Sequence, residues 1–396
     1  LSAGPESGTA FVTMTCEYDG ETYIQEFDLP VRPAYPRIAL SGSGVAKGGE
    51  SRSIPIPRGW FPGTEEGRLV LSDFPALDLL GASSFLITYP YGCLEQTVSS
   101  AWPLLVLPDL AADIDPGLAD REQVEEALGR KIRQIGAMQL YQGAFASWPG
   151  LSTPYPWGSV YAAHFLTEAK RSGAKVPADL LAGALSYVRS ILPLTPDDES
   201  EWRMRENMTL KAYASYVLAL AGEPPLGWMA HIKENSAYLR DSGAVFLAGA
   251  YALSSKTPEP LKQLGALAPA LRERDETTME SASRTDALKL LMWADVDPLS
   301  APAAELAGKL IAQARKNAWD TTQTNAMGLL AVGRWSEKTR EARQPFTAVL
   351  VDSAGEKIAS FSEGEKVSLD LADVREGDLT LEVSGKGSVY YAWTAA

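Results

Sequence analysis

The 396-residue sequence predicts a multidomain α+β protein: an α/α toroid of helical hairpins inserted in a β-sandwich domain, preceded by the end of another β domain. Three observations predict it. Apolar and polar residues alternate from the start of the chain to about residue 82. From about residue 83 to 343 apolar and small residues recur instead at i, i+3 and i+4. Alternation then returns from residue 344 to the end. A sheet that stops, gives way to helices and resumes is most economically a β domain with an insertion, because a sandwich loop whose ends lie close tolerates one.

The elements follow in order. "TAFVTMTCEYDG" and "TYIQEFDLPV" flank the turn-forming pair Asp19-Gly20 and predict a pair of strands. "RPAYPR" and "SGSGVAKGGES" read as Pro- and Gly-rich punctuation, with a boundary near residues 32–36. "SRSIPIP" and "GRLVLSDFP" open a second β segment. Five helical stretches then look related: "GSVYAAHFLTEAKRSG", "NMTLKAYASYVLALAG", "DSGAVFLAGAYALSSK", "SRTDALKLLMWADVD" and "TTQTNAMGLLAVGRW". Each is rich in small residues and is followed by a turn signal and a more charged helix, such as "PAAELAGKLIAQARK", at the spacing of helical-hairpin repeats. Alanine-rich inner helices and charged outer ones suggest two concentric layers; with residues 97–140 as a less regular sixth hairpin, a closed toroid fits better than an open solenoid. "FTAVLVDSAG", "EKIASFSEG", "EKVSLDLADV", "DLTLEVSG" and "SVYYAWTA" complete the β part. The spans are 1–34, 35–82, 83–343 and 344–396.

Composition excludes several functions. Hydrophobic residues make up 45% and charged residues 22%, ordinary for a globular protein. A net charge of −14 argues against nucleic acid, which is held by cations facing phosphates. No apolar run is long enough to span a bilayer, and no membrane contact by this segment is expected. Two cysteines exclude a disulfide framework, and with His164 and His231 they show no zinc-ligand spacing, so neither metal nor cofactor is expected. Both histidines read as packed or surface residues. Adjacent acidic pairs, Glu65/Glu66 and Asp197/Asp198, point apart and read as solvated loops. The chain opens at Leu1 without an initiator Met or signal regions, and is expected to be a piece of a longer protein.

One of the two cysteines, Cys93, stands three residues before Gln96 in "YPYGCLEQT". Side chains three apart on a helical turn are neighbours. A thiol and a carboxamide so placed can condense, with loss of ammonia, to an internal thioester. Its acyl group then accepts an amine or hydroxyl while the sulfur leaves. Rival readings are a cysteine hydrolase or transglutaminase with Cys93 as nucleophile, an α/α-toroid glycosidase or terpene cyclase, and a binding scaffold in which no thioester forms.

"GCLEQ" is the thioester signature of the α2-macroglobulin and complement superfamily, and the chain resembles bacterial α2-macroglobulin-like proteins. "GWFPGTEEGRLVLSDFPALDLL", "GAFASWPG", "WGSVYAAHFL", "MTLKAYASYVLAL" and "WDTTQTNAMGLLAV" are similar to successive landmarks of that family. The resemblance implies Cys93 as thioester sulfur and Gln96 as acyl donor. It also implies Gly92 at a tight backbone turn and Glu95 as motif support. Tyr89, Tyr91, Phe145, Trp148 and Trp157 are candidate shields that keep the bond dry, with core aromatics of the toroid as the alternative reading. It further implies a CUB-like sandwich and the end of a macroglobulin-like domain before it. The implied function is a broad-spectrum protease inhibitor, not an enzyme, that captures proteases through their lysine amines after bait cleavage. Its partners are those proteases and the remaining macroglobulin-like domains. Complement members that favour hydroxyl targets carry a histidine about a hundred residues after the Cys; residues 186–206 contain none, which implies direct attack by amines. Low cysteine content fits the periplasm, and the sequence leaves open whether the full-length protein is anchored there as a lipoprotein.

Overall fold

The structure, a computed structural model, describes residues 8–32, 40–56, 66–73, 92–106, 108, 121–195, 200–264, 280–314, 319, 321–371 and 377–395. The chain divides into two compact units, Leu1–Asp73 with Gln344–Ala396, and Phe74–Arg343.

In the first unit, β1 (Gly8–Tyr18) and β2 (Glu21–Val31) pair antiparallel as a two-stranded ribbon. Asp19 and Gly20, with φ of 53° and 83°, form the turn. Two positive φ values in succession match the right-handed twist of a hairpin, which is why Asp-Gly stands there. Eight further strands form two four-stranded antiparallel sheets. One has the order β3 (Leu40–Lys47), β10 (Ser388–Ala395), β5 (Gly67–Ser72), β8 (Lys366–Asp370). The other has the order β4 (Ser51–Ile54), β9 (Leu379–Gly385), β6 (Phe346–Val351), β7 (Lys357–Ser362). Both sheets contribute to one apolar core containing Ile54, Leu69, Leu71, Phe346, Leu350, Leu381 and Val389. Each sheet mixes strands from before and after the helical block.

Strand β3 corrects the reading of "SGSGVAKGGES" as punctuation. Gly42 and Gly44 lie opposite Trp393 and Tyr391 of β10. A Cβ at Gly42 would sit 2.6 Å from the indole, and one at Gly44 would collide with the phenol. Glycine here is a seat for cross-strand aromatic rings rather than a turn signal.

In the second unit, eleven α-helices are described: α1 (Leu94–Val106), α2 (Arg121–Gly136), α3 (Pro156–Arg171), α4 (Ala178–Ile191), α5 (Glu201–Leu220), α6 (Leu226–Glu234), α7 (Asp241–Ser255), α8 (Glu259–Leu264), α9 (Ala282–Val296), α10 (Ala301–Ala314) and α11 (Thr322–Lys338). The odd-numbered helices touch one another in a closed cycle, α1–α3–α5–α7–α9–α11–α1. They are buried nearly all round, as their small residues allow; Trp157 to Ala169 of α3 are all buried. The even-numbered helices are amphipathic. In α10 only Ala303, Ala307, Leu310 and Ile311 are buried, one stripe at helical spacing.

Contacts near the helix starts show that the odd helices run the same way. Thr322 of α11 bonds Glu95 of α1. Ser281, the N-cap of α9, bonds Thr324 of α11, and Ser242 of α7 bonds Glu280, just ahead of α9. Helix α5 is longer and begins earlier: its Thr209 accepts from Arg240 N–H at the start of α7, and its Tyr213 ring lies 5.2 Å from Trp157 at the start of α3. Toward the other ends, Arg334 of α11 bonds both Glu168 of α3 (2.6 Å) and Asp295 of α9 (3.0 Å). Burial alone would push the Glu168 carboxyl up, but Arg334 and Arg171 outweigh it and hold it below the usual range. His164 lies deeper still. Its Nδ1 is 3.0 Å from the Tyr213 hydroxyl, and the rings of Trp102, Tyr213 and Tyr216 enclose it.

Two outcomes are expected. Gly44→Val should lower sandwich stability by roughly 1–3 kcal/mol, the usual penalty of overpacking, measured by denaturant unfolding. Burial, the largest influence, lowers the His164 imidazole from 6.5 to about 4. The unfolded chain therefore binds the extra proton between these values, so stability from this group is whole above pH 6.5 and falls as pH drops toward 4. The loss should reach about 3 kcal/mol and be absent in His164→Gln when the two unfolding profiles are subtracted.

Candidate functional site

Helix α1 begins at the quoted motif. The Cys93 carbonyl accepts the first helical bond, from Thr97 N–H at 2.9 Å, so Cys93 occupies the N-cap and Gln96 the third helical position. Two reciprocal contacts follow. Gln96 N–H points at Cys93 Sγ at 3.5 Å, and Cys93 N–H donates to Gln96 Oε1 at 3.4 Å. This is the pattern of a capping box, with sulfur in place of the usual Ser or Thr oxygen. The local rule that satisfies a helix's first N–H groups thus brings the thiol and the carboxamide over one turn.

The two residues between them turn inward. Leu94 and Glu95 are buried, while Cys93 and Gln96 are half-buried. Leu94 N–H donates to the Ser147 carbonyl at 2.9 Å, tying the motif to the loop before α3. Glu95 Oε1 accepts from Ser99 Oγ (2.7 Å) and from Thr322 Oγ1 of α11 (2.8 Å). Ser99 Oγ lies 3.0 Å from the Tyr161 hydroxyl of α3, which also accepts from Trp102 Nε1 at 3.2 Å. One carboxylate therefore links α1 to α11 directly and to α3 through Ser99.

Burial pushes the Glu95 carboxyl up; the Ser99 and Thr322 hydroxyls and the Arg284 guanidinium pull against it. Arg284, wholly buried, lies over the Trp157 ring at 5.4 Å. The Cys93 thiol is raised by burial first and by the Glu95 charge as well, while backbone hydrogen bonding at Gln96 opposes the rise.

The loop before α3 is pinned from within. Ser159 Oγ accepts from Phe145 N–H (2.8 Å) and donates to the Tyr155 carbonyl (2.7 Å). Phe145 and Trp157, both expected as shields, are buried; Trp157 packs on Tyr213 beneath Arg284. Trp148 follows Ser147 and is 47% exposed. Tyr89 and Tyr91 lie outside the described residues. Gly92 is exposed; its φ is not left-handed, and among the described residues a Cβ there would meet nothing within 4 Å. The tight turn expected at Gly92 is therefore not what calls for glycine.

Tyr155 was not singled out by the sequence. Its ring packs against Gly158, where an added Cβ would strike it and would also lie 2.9 Å from Leu94. Its phenol is raised by burial and then by the charges of Glu95 and Cys93. Pro156, which opens α3 at its first position, sits beside it and was a usable signal for the helix start. Nothing local marks Ser99, Thr322 or Arg284, since their role depends on helices far apart in sequence. Among the described residues no cluster of three His, Cys, Asp or Glu could hold a metal ion, and no helix is long and apolar enough to cross a membrane.

Comparison with known proteins follows this geometry. No family model matches the chain. Alpha-2-macroglobulin of Escherichia coli K12 is 28% identical over 400 residues, covering 93% of this chain and 23% of the relative. An alpha-2-macroglobulin homolog of Yersinia pestis is 27% identical over 270 residues, covering 67% of this chain and 13% of the relative. The chain thus spans less than a quarter of the length of these relatives. Among solved structures, native E. coli alpha-2-macroglobulin from domain MG7 to the C-terminus superposes with a TM-score of 0.69 at 24% identity, over 99% of this chain and 63% of that one. Salmonella alpha-2-macroglobulin reacted with methylamine gives 0.69 at 23%, over 98% and 26%. Trypsin-activated E. coli alpha-2-macroglobulin gives 0.55 at 24%, over 99% and 27%. The chain is similar in sequence to bacterial alpha-2-macroglobulins, and it shares the fold of their C-terminal region.

Proposed function

We propose that this alpha-2-macroglobulin-like chain carries an internal thioester between Cys93 and Gln96 and forms the covalent arm of a broad-spectrum protease trap. The observation that carries the reading is the reciprocal N-cap pairing of the sulfur with the carboxamide. Formation joins Cys93 Sγ to the Gln96 side-chain carbonyl carbon and releases ammonia. Attack by a lysine amine then makes an amide at Gln96 and returns the proton and sulfur as the Cys93 thiol. The protein is consumed in one turnover, so it acts as an inhibitor and not as an enzyme.

The electrostatics suit a bond that waits. A leaving thiol departs more slowly as its pKa rises, and burial and Glu95 both raise that of Cys93. Half-burial of the pair limits water. Trp148 and Tyr155 flank the turn and are the shields we favour among the described residues, with Phe145 and Trp157 as the wall behind them. Direct amine attack is supported by the histidines. His164 is enclosed and bonded to Tyr213, His231 is exposed on α6, and neither bonds residues 93–97 among the described residues.

The relatives lend the target class: one was solved after reaction with methylamine, and others were activated by trypsin and by porcine elastase. We read the closed cycle of helices as the α/α toroid, the sandwich as CUB-like and the β1–β2 ribbon as the end of a macroglobulin-like domain. We place the protein in the periplasm, where its partners are proteases and further macroglobulin-like domains.

Methylamine should add once to the freshly made full chain and free one thiol titratable with maleimide; Cys93→Ala should take up none. Glycerol should react more slowly than methylamine. A thiol already titratable, with no uptake, would return the assignment to a cysteine nucleophile or an inert scaffold.

A further inference from the structure

We propose that Thr322 is a positioning residue for the Cys93–Gln96 bond, holding the Glu95 side chain inward so that the sulfur and the carboxamide face out together. The inference rests on the thioester reading above and deepens it.

Successive residues of an α-helix are separated by about 100°, so Gln96 lies about 60° around the axis from Cys93, while Glu95 lies roughly opposite, at about 160°. Fixing Glu95 inward therefore fixes the reactive pair outward, as the burial pattern of residues 93–96 records. What fixes Glu95 is mainly other helices. Its Oε1 accepts from Thr322 of α11, 227 positions along the chain, and from Ser99, itself braced by Tyr161 of α3. Burial raises the Glu95 carboxyl, and after the Ser99 and Thr322 hydroxyls the Arg284 guanidinium of α9 pulls against that rise. Without the Thr322 hydroxyl, Glu95 loses one of its two donors in a dry site. Swinging toward water then becomes favourable and carries the turn with it. Because α1 and α11 are the first and last helices of the cycle, the geometry of the bond is tied to the seam where the cycle closes.

Ammonia reverses bond formation, so the ammonium concentration that opens half the bonds reports how well the turn is held. Thr322→Val removes the hydroxyl with little change of shape, and Thr322→Ser keeps it. In the full chain the Val variant should open at about tenfold less ammonium, the weight of one buried hydrogen bond, and Ser should restore the wild-type midpoint. Ser99→Ala, which removes the other donor, should shift the midpoint the same way and serves should Thr322→Val not fold. A wild-type midpoint in the Val variant, or equal shifts in Val and Ser, would overturn the inference and leave the thioester standing. Absence of the bond from wild type would overturn both.

Discussion

An N-cap that is a cysteine, followed three residues later by glutamine, is the constraint on which the rest of the site depends. The first N–H groups of any helix need acceptors, and here the sulfur and the carboxamide oxygen provide them reciprocally. With Ser and Glu in these places the same geometry would be an ordinary cap. With a thiol and a carboxamide it becomes a pair of groups that can condense. On the proposed reading, reactivity needs only a sulfur and a carboxamide in the places of a common local motif rather than a special backbone.

The surroundings decide how that pair behaves. Five of the six inner helices, α1, α3, α7, α9 and α11, start at the level of the motif, while α5 begins some turns earlier. A buried carboxylate is tolerable there because hydroxyls, a guanidinium and the start of its own helix all favour its charge. Burial first, and that charge after it, discourage ionisation of the Cys93 thiol. At the far end a separate cluster, Glu168 between Arg334 and Arg171, with Asp295 on Arg334, ties α3, α9 and α11 together. Both ends thus join helices of the cycle, and one of them also holds the Cys93–Gln96 turn.

Much of this was legible in the sequence where physics is local. Asp19-Gly20 marks its turn because two successive positive φ values admit few residues, and the shift from period 2 to period 3.6 marks the helical block. The spacing of Cys93 and Gln96 is a weak signal by itself, and it was the surrounding "YPYGCLEQT" and its resemblance that singled the pair out. What stayed hidden depends on distant partners. Gly42 and Gly44 look like loop residues until Trp393 and Tyr391 are laid across them. Tyr155 needs Gly158 beneath its ring, and Thr322 becomes meaningful only when the last helix of the cycle meets the first. Phe145 and Trp157 could be read from the sequence as aromatic cover or as core of the ring; both are buried, and Trp148 is half-exposed.

The most direct test is the intact mass of the untreated full chain, taken before hydrolysis can act. A covalent Cys93–Gln96 linkage predicts a mass below that of the sequence by one ammonia, with the deficit confined to the peptide bearing both residues. A mass equal to that of the sequence, with Cys93 and Gln96 recovered as free side chains, would contradict the account at its root.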